Sequence, residues 1–300
     1  DRAAFLSKSD LATGMVTEFT ELQGEMGKEY ALLDGEKPEV AQAIFEQYMP
    51  RFAGDILPQQ EIGRALSLAD KLDNLAATFL RGLIPTGSQD PFALRRQTIG
   101  AVNILTDGKI HWDIRRGIEA ALALLPGDEE TKKTVLSQIE DFFRQRIKAI
   151  MLDEGIAYDI IDAVLAGPVD DIYALFLKAR SMAESQLKGE AELRQAVTRL
   201  ANITKGKAGG KVDPSLFTED VEKKLQDAFE AVSAKALPLF ASYEYGKALP
   251  ALKELTAPIN DYLDNVMVMV DDEAVKNNRI SQLLATLALF NTWGDFSKLV

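Results

Sequence analysis

Residues Pro85–Arg96, PTGSQDPFALRR, follow directly on the helical run Ser67–Leu83, SLADKLDNLAATFLRGL. A proline, a glycine, two hydroxyls and an acid in such close order end a helix. Asp90 then offers an N-cap and Pro91 suits a first helical turn, so the spacing predicts a new helix from Pro91. Arg95 and Arg96 follow one turn later. The corner thus combines the hydroxyls of Thr86 and Ser88, free backbone N–H groups and two guanidiniums, which is chemistry able to hold an anion such as phosphate. The same residues also suit a well-capped turn with solvated arginines.

Outward from this corner the chain reads as helix nearly throughout. Ala, Leu, Glu, Lys and Gln dominate, apolar residues recur at three- and four-residue spacing, and no stretch alternates as a strand would. The pattern predicts helices over Arg2–Phe19, Glu21–Leu32, Pro38–Tyr48, Ile62–Leu83, Pro91–Leu105, Trp112–Leu125 and Glu129–Asp153. Further helices are predicted over Tyr158–Ala166, Asp170–Leu187, Glu190–Thr204, Glu219–Ala241, Tyr245–Val270 and Asp272–Thr292. The fold class is therefore all-α, a multi-helix array of two helical domains joined by a connecting helical body. Three segments are expected: 1–88, 89–150 and 151–300. Gly206–Phe217, GKAGGKVDPSLF, reads as a mobile loop, and Val266–Met269 as a deeply buried apolar run.

The chain has 300 residues, enough for two cores, with 47% hydrophobic residues. No apolar run reaches membrane-spanning length, so a soluble, cytoplasmic protein is expected. The opening DRAAFLSKSD reads as the middle of a helix rather than a signal peptide. The lack of cysteine excludes disulfides and thiolate metal sites. One histidine, His111, and no nucleophile elbow leave little material for a catalytic triad. His111–Trp112 suits a helix start with the indole ring turned inward. No glycine-rich nucleotide cradle is present, and Asp271–Glu273 suits the acidic first turn of a helix.

A formal charge of −12 argues against general nucleic-acid or DNA binding, yet the distribution is uneven. Between Lys178 and Lys211, eight basic residues face three acids, a local excess of +5. Within that stretch Arg199, Asn202 and Lys205 recur three apart, while Val197, Leu200, Ala201 and Ile203 take other positions. Arg and Lys, with Lys207 beyond them, provide phosphate contacts, and the Asn202 amide can read a base edge. Near the end, Asn278 and Arg279 fall in the second turn of the final helix. They suit either RNA contact or support of that turn.

Several words in the chain resemble the β subunit of bacterial heterotetrameric glycyl-tRNA synthetase: KSDLATGMVTEFTELQGEMG (Lys8–Gly27), LADKLDNL (Leu68–Leu75) and PTGSQDPFALRR. VMVMVDDEAVKNNRISQLL (Val266–Leu284) is similar to the end of that subunit's DALR-type anticodon-binding domain, and the likeness covers essentially the whole chain. TRLANI (Thr198–Ile203) resembles a KRVxNI helix of the family, with Thr198 for Lys and Leu200 for Val. The resemblance implies a C-terminal fragment: an HD-like remainder over 1–88, the connecting body, and the anticodon-binding bundle over 151–300. It implies tRNA(Gly) as ligand, with Arg95, Arg96, Arg199, Asn202, Lys205, Lys207, Asn278 and Arg279 as RNA-binding candidates. It also implies an α-subunit partner in an α2β2 heterotetramer, with ATP and Mg²⁺ used there and no cofactor or catalytic centre in this fragment.

LADKLDNL also resembles the last metal-ligand helix of HD-type phosphohydrolases, with Asp70 as the ligand and Ser9–Asp10 standing where those enzymes carry His-Asp. Such a centre needs imidazoles. Asp70, Lys71 and Asp73 are therefore expected to form buried or half-buried ion pairs in a retired site, with no metal. A degenerate phosphohydrolase and a subunit-assembly scaffold that binds no RNA remain as alternatives.

Overall fold

The computed structural model describes residues 1–87 and 89–300, so the Ser88 hydroxyl of the anion-grip corner lies outside the described residues. Among them the fold is all-α: fifteen α-helices and several short 3₁₀ turns, with no strand. The chain divides into two compact units. The first comprises 1–150 with 169–173, and the second 151–168 with 174–300.

In the first unit the helices are α1 (Arg2–Leu6), α2 (Gly14–Glu18), α3 (Glu25–Leu33), α4 (Pro38–Glu46), α5 (Glu61–Leu80), α6 (Leu94–Asp107), α7 (Ile114–Ala123) and α8 (Glu129–Asp153). The last three residues of α8 belong to the second unit. Helix α5 is the axis of the first unit, packing against α4, α6 and α7. Its Leu68, Leu72, Leu75, Ala76 and Phe79 recur at helical spacing and are all buried. Phe79 meets Phe142 of α8 edge to face at 5.2 Å. The segment 169–173 is tied into the same unit, where Ile114 N–H donates to the Asp170 carbonyl at 2.9 Å and Asp171 lies 2.8 Å from His111 Nδ1.

The second unit holds α9 (Tyr158–Val164), most of α10 (Ile172–Glu184), α11 (Ala191–Thr204), α12 (Asp220–Ala241), α13 (Leu249–Lys253), α14 (Thr256–Asn265) and α15 (Glu273–Asn291). Helices α11 and α12 each pack on both α14 and α15. Trp293, Phe290 and Phe296 form a buried aromatic cluster, and the indole N–H donates to the Lys178 carbonyl at 3.2 Å.

Four local expectations are corrected by the structure. Arg2–Phe19 is three short pieces, because Lys8 takes a left-handed φ of 64° and Thr13 turns extended to cap α2. Tyr245–Val270 breaks into a 3₁₀ turn, α13 and α14. The helix after Asp90 begins at Leu94 rather than Pro91: Ala93 is left-handed, and the Asp90 carboxylate reaches over it to accept from the N–H groups of Leu94 and Arg95 at 2.8 and 2.9 Å. Val266–Met269 is not helical, so its side chains alternate. Val266 and Val268 turn inward, whereas Met267 and Met269 are 73% and 44% exposed.

Close packing of α4 on α5 depends on Gly63, where an added Cβ would fall 2.7 Å from Glu46 Cβ and 1.9 Å from Glu46 Oε2. Glu46 is buried and accepts from Gln60 N–H and Gln42 Nε2. Helix propensity favours alanine over glycine by about 1 kcal/mol, but overpacking costs roughly 1–3 kcal/mol. Gly63→Ala is accordingly expected to lower the urea midpoint; an unchanged or higher midpoint would show that α4 can move aside freely.

Candidate nucleic-acid interface

In the second unit the sequence-predicted residues lie around one corner built by α11, α15 and the loop between α11 and α12. Leu193, Ala196, Val197, Leu200 and Thr204 form the buried face of α11, which leaves Arg199 and Asn202 exposed on the other. Arg199 is not free: it donates to Asp264 at 2.5 Å and to Asn260 at 2.9 Å, both on α14. Lys205 ends α11, and Lys205, Lys207 and Lys211 project from the exposed loop that follows. Lys205 and Lys207 make no ion pair among the described residues, and Lys211 helps hold the Asp213 carboxyl below its ordinary range, after its bonds from Ser215.

This loop, expected to be mobile, is pinned to α15. Gly210 N–H donates to Ser281 Oγ at 2.9 Å. Asn278 closes a two-way bridge, accepting from Asp213 N–H at 2.7 Å and donating to the Asp213 carbonyl at 2.9 Å. Gly209 sits over Leu284, where a Cβ would come within 3.0 Å. Glycines here therefore allow a close backbone approach rather than free motion. Asn278 is buried, so its amide is spent on the loop.

Arg279 is also buried and lies at the centre of this corner. Its Nε donates to Glu222 Oε1 at 2.9 Å, Nη1 to the Met267 carbonyl at 2.8 Å, and Nη2 to Thr218 Oγ1 at 2.6 Å and Glu222 Oε2 at 3.2 Å. Glu222 in turn accepts from the N–H groups of Thr218 and Glu219, closing a capping box at the start of α12. Burial pushes the Glu222 carboxyl up. The Arg279 bond and the two backbone N–H groups outweigh burial and hold it below the usual carboxylate range, while the Glu222 bond raises Arg279. The sequence signal available for Glu222 was its place three residues after Glu219; nothing local pointed to its partner 57 positions on.

In the first unit the two arginines of the opening stretch part company. Arg95 turns back to the Gly87 carbonyl at 2.7 Å, whereas Arg96 is exposed and lines a cavity of about 490 Å³. Lys8, Arg51, Asp70 and Lys71 line the same cavity. Asp70 pairs with Lys8 at 2.5 Å. Lys71 is buried and donates to the Met49 carbonyl at 2.7 Å and Ser67 Oγ at 2.6 Å. Asp10 is buried, accepting from Gly24 N–H at 2.7 Å and Tyr48 Oη at 3.0 Å. Ser9 and Asp73 are exposed. Of the three residues expected to form ion pairs, Asp70 is paired with Lys8, Lys71 is held by neutral acceptors and Asp73 faces solvent. The donor set does not fit a metal centre, because both Asp10 and Asp70 are occupied by protein donors and no imidazole stands beside them.

Burial drives the Lys71 amine down to about 8, against a partial upward pull from Asp70. An amine whose folded value lies below its unfolded one costs stability while protonated. That cost, roughly 3 kcal/mol at 1.36 kcal/mol per unit, fades as pH climbs from about 8 toward 10.5.

The second unit is thus an all-helical bundle that holds a lysine-bearing loop against its last long helix. A family profile described as the DALR anticodon binding domain matches residues 193–294, and one described as glycyl-tRNA synthetase beta subunit matches residues 1–166. The chain is 45% identical over 300 residues to the glycine–tRNA ligase beta subunit of Clostridioides difficile (strain 630), covering 100% of this chain and 44% of that protein. It is 42% identical over 303 residues to the glycine–tRNA ligase beta subunit of Desulforamulus reducens, with the same coverage. The chain belongs to the glycyl-tRNA synthetase beta subunit family, and it spans less than half the length of these relatives.

The buried charges set the response of stability to mutation and to pH. Removing one partner of a buried pair costs about 3–5 kcal/mol, so Arg279→Met should destabilise by that amount in urea melts, and adding Glu222→Gln should recover part of it. Because the folded Glu222 value is depressed, the pair's contribution is complete above the unfolded carboxylate range and is lost as pH falls through the folded value. The gap between wild type and Arg279→Met should therefore shrink in acid. Lys71→Met should instead raise the midpoint at pH 7, with the gain diminishing above pH 8, since Ser67 Oγ still donates to the Met49 carbonyl at 2.7 Å.

Proposed function

We propose that the second unit binds the anticodon arm of tRNA(Gly) during tRNA glycylation, and that this chain contributes recognition rather than bond-making. The observation that carries this is the 205–211 loop: three exposed lysines held in a fixed place by Asn278 and Ser281, within a segment matching an anticodon-binding domain. Lysines there meet phosphates, and Asn202 on the exposed face of α11 supplies an amide for a base edge. Asn278 and Arg279 act from beneath, by fixing the loop and the non-helical run after α14 at Met267. Arg199 serves RNA only by leaving Asp264, which makes it a secondary contact. In the complete cytoplasmic enzyme, glycine activation with ATP and Mg²⁺ belongs to an α subunit with which the β subunit assembles as α2β2. The names of the relatives, as beta subunits of a glycine–tRNA ligase, support a further subunit in the enzyme.

Binding of this chain to a glycine tRNA transcript, and to one altered at the second and third anticodon bases, tests the proposal across a salt series. Tighter binding to the glycine anticodon is expected. Replacing Lys205, Lys207 and Lys211 with Ala should flatten the slope of log K against log salt by about 2–3, since each neutralised phosphate accounts for roughly 0.7–0.9 of that slope. Equal binding to both transcripts, with an unchanged slope in the triple variant, would favour an assembly scaffold instead.

A further inference from the structure

The cavity between α5, α6 and the 48–51 turn has a chemistry that the anticodon-arm proposal does not use. Lys71 is a buried ammonium whose two acceptors, the Met49 carbonyl and Ser67 Oγ, are both neutral. No carboxylate lies within ion-pair distance of it among the described residues, because its neighbour Asp70 is directed to Lys8. An ammonium carries three donors, and burying it without a counter-ion is costly. Gly100 helps keep it there: a Cβ at that position would lie 3.0 Å from Lys71 Cε.

The other cations on the rim have donors in reserve. Arg96 is exposed with no acceptor among the described residues, and Arg51 gives Asp55 its side-chain Nε, at 3.1 Å, and its backbone N–H. The lining carries Lys8, Arg51, Lys71 and Arg96 beside Glu21 and Asp70; with Lys8 paired to Asp70 and Arg51 to Asp55, Lys71 and Arg96 are left without a carboxylate partner among the described residues, on a chain of net −12. A concave positive site on an acidic body focuses its field on anions. Divergent ammonium and guanidinium donors suit the several oxygens of a phosphate. The volume, about 490 Å³, exceeds what a bare phosphate fills and lies in the range of small-ligand sites. Asn74 stands on the wall with its amide nitrogen spent on Gln97 and Asp70, which leaves its carbonyl to accept from a base.

We propose that this cavity binds one nucleotide unit, its phosphate held by Lys71 and Arg96 with Lys8 and Arg51 at the rim, and its base facing Asn74. Such a unit can be a free nucleotide or part of an RNA strand.

Calorimetric titration of the chain with AMP, inorganic phosphate and adenosine, in a phosphate-free buffer of low ionic strength, tests this. AMP should bind, phosphate more weakly, and adenosine not measurably. Lys71→Met and Arg96→Ala should each weaken AMP about tenfold, equal to 1.4 kcal/mol; circular dichroism checks that both fold, and Arg96, being exposed, keeps the test open if Lys71→Met does not. Titrating the glycine tRNA transcript into the same variants separates the sources. AMP binding at unchanged tRNA affinity assigns the site to a free nucleotide, and a loss of tRNA affinity in both variants, with or without AMP binding, assigns it to RNA. The lysine-loop triple variant of the second unit should leave AMP binding intact, so failure of the anticodon-arm proposal would not be mistaken for failure of this one. If neither variant changes the affinity for AMP, phosphate or tRNA, the proposal is overturned.

Discussion

The buried Arg279–Glu222 pair is the constraint on which the second unit's functional corner depends. A guanidinium taken out of water has to find acceptors for its fork, and here it finds them on two separate segments: Thr218 and Glu222 at the start of α12, and the non-helical run after α14. Glu222 is used twice, as capping residue of its own helix and as counter-ion of another. Buried pairs of this kind add little net stability over an apolar replacement but are intolerant of losing one member. Their value lies in register. With Arg279 fixed, Asn278 beside it and Ser281 a turn below present their side chains to the 209–213 backbone, and the lysine loop has only one place to lie.

The same economy explains why the local charge of +5 overstates what a ligand would meet. Arg180 is paired with Glu154, Lys188 with Asp159 and Arg199 with Asp264, while Arg194 donates to the carbonyls of Leu299 and Lys188. The exposed pairs among these, Arg180–Glu154 and Arg199–Asp264, contribute about 0–1 kcal/mol each to stability. They nevertheless remove the positive potential that the sequence count suggests. Within 178–211, Lys205 and Lys207 keep their charge without an ion pair among the described residues, as Lys71 and Arg96 do in the first unit. An acidic surface elsewhere repels polyanions, so a few uncompensated cations can determine where RNA lands without binding it everywhere.

Helices and their buried faces were legible in the sequence because periodicity is a local property: α5, α8, α11 and α12 fall close to where the spacing puts them. The failures have specific physical causes. Val266–Met269 looked buried because four apolar residues in a row fit a helix interior, but the helix ends at Asn265 and the run beyond it turns Met267 and Met269 outward. Asp90 was identifiable as a cap, but not that Ala93 would go left-handed and delay the helix by a turn. Asn278 and Arg279 stood out as polar residues on the last helix, yet their role depends on Asp213 and Glu222, more than fifty positions away. Sequence spacing gives no access to such partners.

Lys71 shows how a long-range environment can reverse the meaning of a residue. In LADKLDNL it stands between two aspartates, which suggests an ammonium neutralised by its neighbours. On a helix, adjacent residues point in different directions. Asp70 turns to Lys8, Asp73 to solvent, and Lys71 inward to a carbonyl and a hydroxyl that cannot neutralise it. The structure therefore retains a buried charge at a cost in stability, with Gly100 kept small to make room for it. A methionine of similar length would avoid that cost. An ammonium held in so unfavourable a place, opening on a cavity with an unpaired guanidinium, is best accounted for by an anion that completes the pair.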